Sequence, residues 1–283
     1  MILYRIVRRL FWIGGKLLWR LSVEGGENVP AEGPFIMAPV HRSNIDFAMV
    51  SCATDRKMRF MGKDTLWKVK WFGRLLTILG AYPVHRGVAD REALRSTIDI
   101  LKGGEPLVLF PEGTRRSGPT VEDLYEGAAY VAARAGVPLV PVGIGGSEGA
   151  LPKGSKVPRP VKVHLVVGPP IQPPPTPEGR RNPSRRAVHE VTLKLQEELQ
   201  RLFDLAQRKA GVPPLTSTDM GFLDKAKDLA GEHADKVGDA IDKAANAIDE
   251  RTGGKYGEHI DKGAETAKRF VDENRGENRA GEV

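Results

Sequence analysis

Short apolar runs bounded by glycine or proline recur through the middle of the chain, at 34–40, 58–61, 81–84, 106–110, 138–144 and 161–167. Within each run apolar side chains tend to follow one another rather than alternate with polar ones. That pattern predicts strands, several of them buried on both faces. Between the runs, apolar residues recur at helical spacing over 44–53, 90–101, 121–135 and 184–207, with Asp90 placed to cap the second. Alternation of this kind predicts an α/β domain with a mostly parallel central sheet flanked by helices. In such sheets the loops that leave the C-terminal ends of strands build the site. The residues just after each run are therefore the ones to inspect for chemistry. Pro141 cannot donate to a sheet ladder and predicts a bulge or a sheet edge.

The first 21 residues follow a different rule. At about 100° per residue, Arg5, Arg8, Arg9, Lys16 and Arg20 share one arc. Leu3, Ile6, Val7, Leu10, Leu17, Leu18 and Leu21 occupy the opposite one, and Trp12 and Trp19 fall on the charged side. A basic face, an apolar face and tryptophans predict a helix lying in the headgroup region of an anionic membrane. Gly14 and Gly15 weaken that helix and favour a bend. Charge is spread through the segment and no small-residue cleavage site follows, which fits a signal peptide poorly. A second stretch, 66–79, also mixes tryptophan, cations and aliphatics. Taken alone, it reads as core.

Charge sharpens the picture. The chain has 283 residues and a formal net charge of +7, but from Asp219 onward there are sixteen acidic and eleven basic residues. The first part is thus strongly basic and suits a phosphorylated substrate or an anionic membrane, whereas the tail does not. The break, near Gly211, Pro213 and Pro214, predicts a linker over 211–219. The longest stretch without Asp, Glu, Lys or Arg, 163–177, is rich in proline, so no segment has the roughly 18 uncharged apolar residues of a spanning helix. One cysteine, Cys52, excludes an intrachain disulfide and a Cys-rich zinc site. It reads as a small buried apolar residue. Aromatic residues are 6% and gather near the N-terminus rather than along a basic strand face, which argues against nucleic acid.

Three blocks after predicted strands carry candidate chemistry. His41-Arg-Ser-Asn-Ile-Asp46 follows the first run. Across a strand-to-helix turn, Asp46 can reach back to the imidazole, fix its tautomer and leave the other nitrogen as a base. Spacing alone is weak, since about one such pair is expected by chance and His85 with Asp90 forms another. No serine sits in a nucleophile elbow, so no acyl-enzyme is suggested. Gly80-Ala-Tyr-Pro-Val-His-Arg86-Gly87 ends a strand at an arginine able to clamp a phosphate. Phe110-Pro-Glu112-Gly113-Thr114-Arg115-Arg116-Ser-Gly118 opens from a buried strand. There Gly113 permits close backbone approach, Thr114 offers a hydroxyl and its amide, Arg115 can pair with phosphate, and Glu112 can hold a hydroxyl or orient an arginine.

The strings HRSNID, GAYPVHRG, FPEGTRRSG and GVPLVPVGI, in that order, resemble the four motifs of the glycerolipid acyltransferases, most closely the bacterial 1-acyl-sn-glycerol-3-phosphate acyltransferase (PlsC) type, over about residues 20–210. The resemblance implies that His41 is the general base and Asp46 its orienting partner. It places Arg86, Glu112, Gly113, Thr114 and Arg115 at acceptor-binding positions. It implies lysophosphatidic acid and acyl-CoA, or acyl-carrier protein, as substrates, with no metal or cofactor, and attachment to the cytoplasmic face of the cell membrane. Arg116 adds a second arginine to the third motif, and His85 stands where an acid is often found. The implied organisation is a membrane-interface helix at 1–21, the acyltransferase domain at 22–210, the linker, and a charged helical or partly disordered tail at 220–283. That tail resembles a family of small actinobacterial proteins described as antitoxins. Alternatives to lysophosphatidic acid acylation are another lyso-lipid or glycolipid acceptor, or a non-catalytic lipid-binding protein regulated by the tail.

Overall fold

The apolar runs assemble into one sheet. The computed structural model describes residues 2–84, 91–152, 155, 157–174 and 182–213. The strands are β1 (Ser22–Glu24), β2 (Ile36–Pro39), β3 (Arg59–Lys63), β4 (Ala81–Val84), β5 (Leu107–Val108), β6 (Leu139–Gly145) and β7 (His164–Val167), in the order β1-β7-β6-β2-β5-β3-β4. Strands β2 to β6 run parallel; β7 opposes β6, and β1 runs with β7. The helices are α1 (Ile2–Trp19), α2 (Asp46–Ser51), α3 (Lys70–Ile78), α4 (Arg91–Lys102), α5 (Gly127–Ala135), α6 (Ser147–Ala150) and α7 (Arg185–Ala210). These elements belong to a unit formed by Met1–Arg116 and Thr120–Pro213; the other unit, Ser117–Pro119 with Pro214–Val283, falls almost wholly outside the described residues.

Local chemistry sets the helix ends. Ser184 Oγ accepts the Ala187 amide at 3.1 Å to start α7, and Gly211, at φ 77°, ends it. Val188, Val191, Leu195, Leu199, Leu202, Phe203 and Ala206 form its buried stripe. This helix lies so close to β6 that a Cβ at Gly143 or Gly145 would meet its backbone at 2.3 or 2.1 Å.

Pro141 has its expected bulge, and two other expectations are corrected. Pro141 lies in an interior strand, between β2 and β7. Leu139 pairs antiparallel with Ile171 and Val142 with Val167, so residues 140–141 of β6 stand opposite 168–170, a bulge at Pro141. The 121–126 stretch is not helical: α5 begins at Gly127, and Gln200 of α7 accepts the Val121 amide at 2.7 Å instead. Trp12 and Trp19 are partly buried against the core, with Lys16 Nζ over the Trp12 ring at 4.9 Å, and Trp19 Nε1 donates to Arg159 O at 3.1 Å. The 66–79 stretch is not core, because Gly73 is the only buried residue of α3 and Trp71 is 71% exposed. The three-residue strand β1 was not predicted.

Helix α1 is continuous through Gly14 and Gly15. The Leu21 amide donates to Gly15 O at 3.0 Å, and the buried Leu21 side chain fills the space that a Cβ on Gly15 would need. The helix docks through Tyr4, whose hydroxyl donates to Arg56 O at 3.3 Å, and through Arg8, which donates to Thr54 O at 3.1 Å and pairs with Asp55. Leu3, Ile6, Leu10 and Leu17 remain exposed on the other side, Leu17 by 80%. Among the described residues no helix is long and apolar enough to cross a membrane.

Candidate active site

The parallel register places the segments after β2, β3, β5 and β6 at one end of the sheet. Strand β2 delivers His41 there, and the chain turns at once into α2, whose first residue is Asp46. His41 Nδ1 lies 3.0 Å from Asp46 Oδ2. The same oxygen accepts the Arg42 and Ser43 amides, each at 2.7 Å. A carboxylate holding two amides is fixed as an acceptor, so Nδ1 carries the proton and Nε2 presents its lone pair. Asp46 is fully buried, whereas the His41 side chain keeps 16% exposure. The imidazole stacks on Phe110 with ring centroids 4.1 Å apart.

The main chain of His41 is held as firmly as its ring. Glu112 Oε2 accepts the His41 amide at 2.7 Å, and the Arg116 amide donates to His41 O at 2.9 Å. Glu112 is fully buried and forms an ion pair with buried Arg42, whose Nη1 lies 2.7 and 2.8 Å from the two carboxylate oxygens. Arg42 Nη2 also donates to Thr120 O at 3.0 Å, and the guanidinium lies over the Phe203 ring. Glu112 therefore braces His41 and Arg42, and its carboxylate is not open to an acceptor. Sequence reasoning passed over Arg42 and Phe110. A cation beside His41, flanking a strand end, was the available signal for the first.

The rest of the third block divides. Gly113 has φ 68°, and a Cβ there would meet the Tyr125 ring at 2.7 Å, so what approaches this glycine is Tyr125. The Thr114 amide is taken by Glu112 O at 2.7 Å, while the Thr114 side chain stays at the surface. Arg116 pairs with Glu122 at 2.8 Å. Arg115 is half-buried and has no hydrogen-bond or ion-pair partner among the described residues. Of the two adjacent arginines, Arg115 is thus the one available to an anion. Arg86, with His85 and Asp90, lies outside the described residues. Cys52 is buried, and burial pushes its thiol up to about 11. Among the described residues no group of histidines, cysteines and carboxylates could hold a metal.

A model of the Acyltransferase family matches residues 20–145, and one of the MT0933-like antitoxin proteins matches 223–271. The chain is 31% identical to the 1-acyl-sn-glycerol-3-phosphate acyltransferase of Bacillus subtilis, over 53% of this chain and 76% of that one. It is 28% identical to a chloroplastic 1-acyl-sn-glycerol-3-phosphate acyltransferase of Arabidopsis thaliana, over 49% of this chain but only 39% of that longer protein. The crystal structure of the 1-acyl-sn-glycerophosphate acyltransferase PlsC from Thermotoga maritima superposes with a TM-score of 0.58 at 27% identity, covering 70% of this chain and 79% of that one. With these matches falling on the domain that holds His41 and Glu112, the chain belongs to the acyltransferase family, and it is an enzyme of the 1-acylglycerol-3-phosphate acyltransferase kind.

Proposed function

We propose that this protein moves an acyl chain from acyl-CoA, or from acyl-carrier protein, to the sn-2 hydroxyl of lysophosphatidic acid. The observation that carries the reading is the imidazole of His41, tied at Nδ1 to Asp46 and open at Nε2. Nε2 takes the hydroxyl proton as that oxygen attacks the thioester carbonyl. A C–O bond forms, the C–S bond breaks, and the proton passes to the departing thiolate. Asp46 stabilises the imidazolium formed on the way. Neither a metal nor a covalent intermediate is needed, because the thiolate is a good leaving group.

Arg115, without a partner among the described residues, supplies a guanidinium for the acceptor phosphate, and Arg86 of the second motif works with it in this reading. The amides of Gly113, Thr114 and Arg116 are spent within the loops. The Arg115 amide has no such partner among the described residues, and in this reading it is a donor for the tetrahedral oxyanion. The exposed apolar stripe of α1 rests on the membrane's cytoplasmic face, where both acyl chains reside. In this organisation 1–21 is the membrane helix, 22–210 the catalytic domain, 211–219 a linker and 220–283 a tail without catalytic duty.

Thiol release from palmitoyl-CoA, by protein on anionic liposomes, tests the reading. Lysophosphatidic acid, glycerol 3-phosphate and lysophosphatidylinositol are compared as acceptors, with wild type and His41→Ala. Release that requires lysophosphatidic acid and vanishes in the variant is expected. Release with another acceptor alone would change the substrate, and full turnover by His41→Ala would remove His41 from the mechanism.

A further inference from the structure

The 3-10 turn at Asp64–Lys68 and helix α3 leave β3 at the same end of the sheet as His41. They fold on each other rather than into the core. Trp67 is the clasp: its Nε1 donates to Thr77 Oγ1 at 3.0 Å, and its ring lies where a Cβ on Gly62 or Gly73 would sit, 2.8 Å away. With Trp67 turned in, the outer side carries Leu66, Val69, Trp71 and Ile78, all exposed, Trp71 by 71% and Ile78 by 50%. Trp71 and Ile78 are seven residues apart and so lie above one another on the helix. Lys68, Lys70 and Arg74 are also exposed, and none forms an ion pair among the described residues. An exposed tryptophan with three aliphatics, held out by a dedicated clasp, is a contact surface in search of a partner.

We infer that this element is a second membrane contact, whose apolar tip enters an anionic bilayer while its three cations meet the headgroups. Charge names the occupant. Aliphatic side chains ringed by unpaired cations match an acyl boundary under a negative surface, and a second copy of this basic domain would bring like charges together. Position agrees, because a lipid acceptor must reach His41 at this end of the sheet. The inference rests on the membrane reading of α1 given above. It adds that the domain is held at two points, so the sheet end between them faces the bilayer instead of swinging from one helix.

Environment-sensitive dyes on the full chain test this without turnover. Ile78→Cys, Trp71→Cys and, as the α1 reference, Leu17→Cys are labelled singly; buried Cys52 with its raised thiol pKa does not compete. Vesicles of equal phosphatidylglycerol and phosphatidylcholine are added. A blue shift at positions 71, 78 and 17 is expected, absent with pure phosphatidylcholine. Trp71→Glu with Ile78→Glu should lower vesicle partition about tenfold while circular dichroism stays unchanged. A shift at 17 alone overturns the second contact and keeps the first. No shift anywhere overturns both, with the acyltransfer assay still open. A shift at 78 that grows with protein concentration before vesicles are added makes the surface a self-association face instead.

Discussion

The loops after β2 and β5 meet at His41, and two stretches there are built to opposite rules. Around His41, Asp46, Arg42 and Glu112, each carboxylate is buried, and backbone amides and a guanidinium are drawn onto it. Three residues past Glu112, Arg115 has no partner among the described residues and Thr114 stands at the surface. The contrast separates two tasks. Proton transfer needs one geometry fixed before substrate arrives, so its groups are immobilised by burial. Capture of a diffusing anion needs an uncommitted cation, which a buried partner would neutralise.

That division can be broken from either side. His41→Ala should cost on the order of 10²–10⁴ in kcat and leave the melting temperature near that of wild type, because the ring ties up no buried carboxylate other than Asp46. Glu112→Gln attacks the frame instead. It leaves buried Arg42 without its counter-ion and should cost about 3–5 kcal/mol of stability, read as a lowered urea midpoint, with kcat falling as well. Arg115→Ala should raise KM for a phosphorylated acceptor about 10–100-fold at nearly unchanged stability. Arg116→Ala is its control: that side chain already faces Glu122 in a partly exposed pair, so KM should move about fivefold or less. Equal effects at 115 and 116 would erase the distinction drawn between them.

The smallest effect lies at the far edge. His164 is held by Ser22 Oγ at 2.6 Å and lies 3.4 Å from Glu24, itself paired with Lys209. Burial, against the pull of Glu24, keeps the His164 pKa below its ordinary value. The unfolded chain then binds this proton more readily than the folded one. Stability is full above the ordinary histidine value and declines as pH falls through it toward the lowered one. Hydrogen exchange at the β1 amides should quicken over that interval, and His164→Gln should flatten the dependence.

What could be read from sequence follows the range of each interaction. The His41–Asp46 contact spans five residues and one strand-to-helix turn, so local spacing reveals it. The strands β2 to β7 are apolar runs ended by glycine or proline, and a run of that kind has few other places to go. Arg42 and Glu112 are seventy residues apart and meet only because β5 lies beside β2; no local pattern encodes that adjacency. The same limit hid Gln200, whose side chain replaces the helical bond expected of Val121. In Ser22–Glu24 a three-residue strand has too few positions to show a period. The 66–79 stretch has a core-like composition, but Trp67 consumes its inward side locally and leaves Trp71 outside.

Glu112 and Arg116 grip the two ends of one peptide residue, His41, through its amide and its carbonyl. The segment between them is therefore a ruler. Side chains at 114 and 115 can be exchanged for ones that suit a different headgroup, but the number of residues there is set by the span of a single residue across the gap. Across relatives, this stretch is expected to vary in letters and never in length.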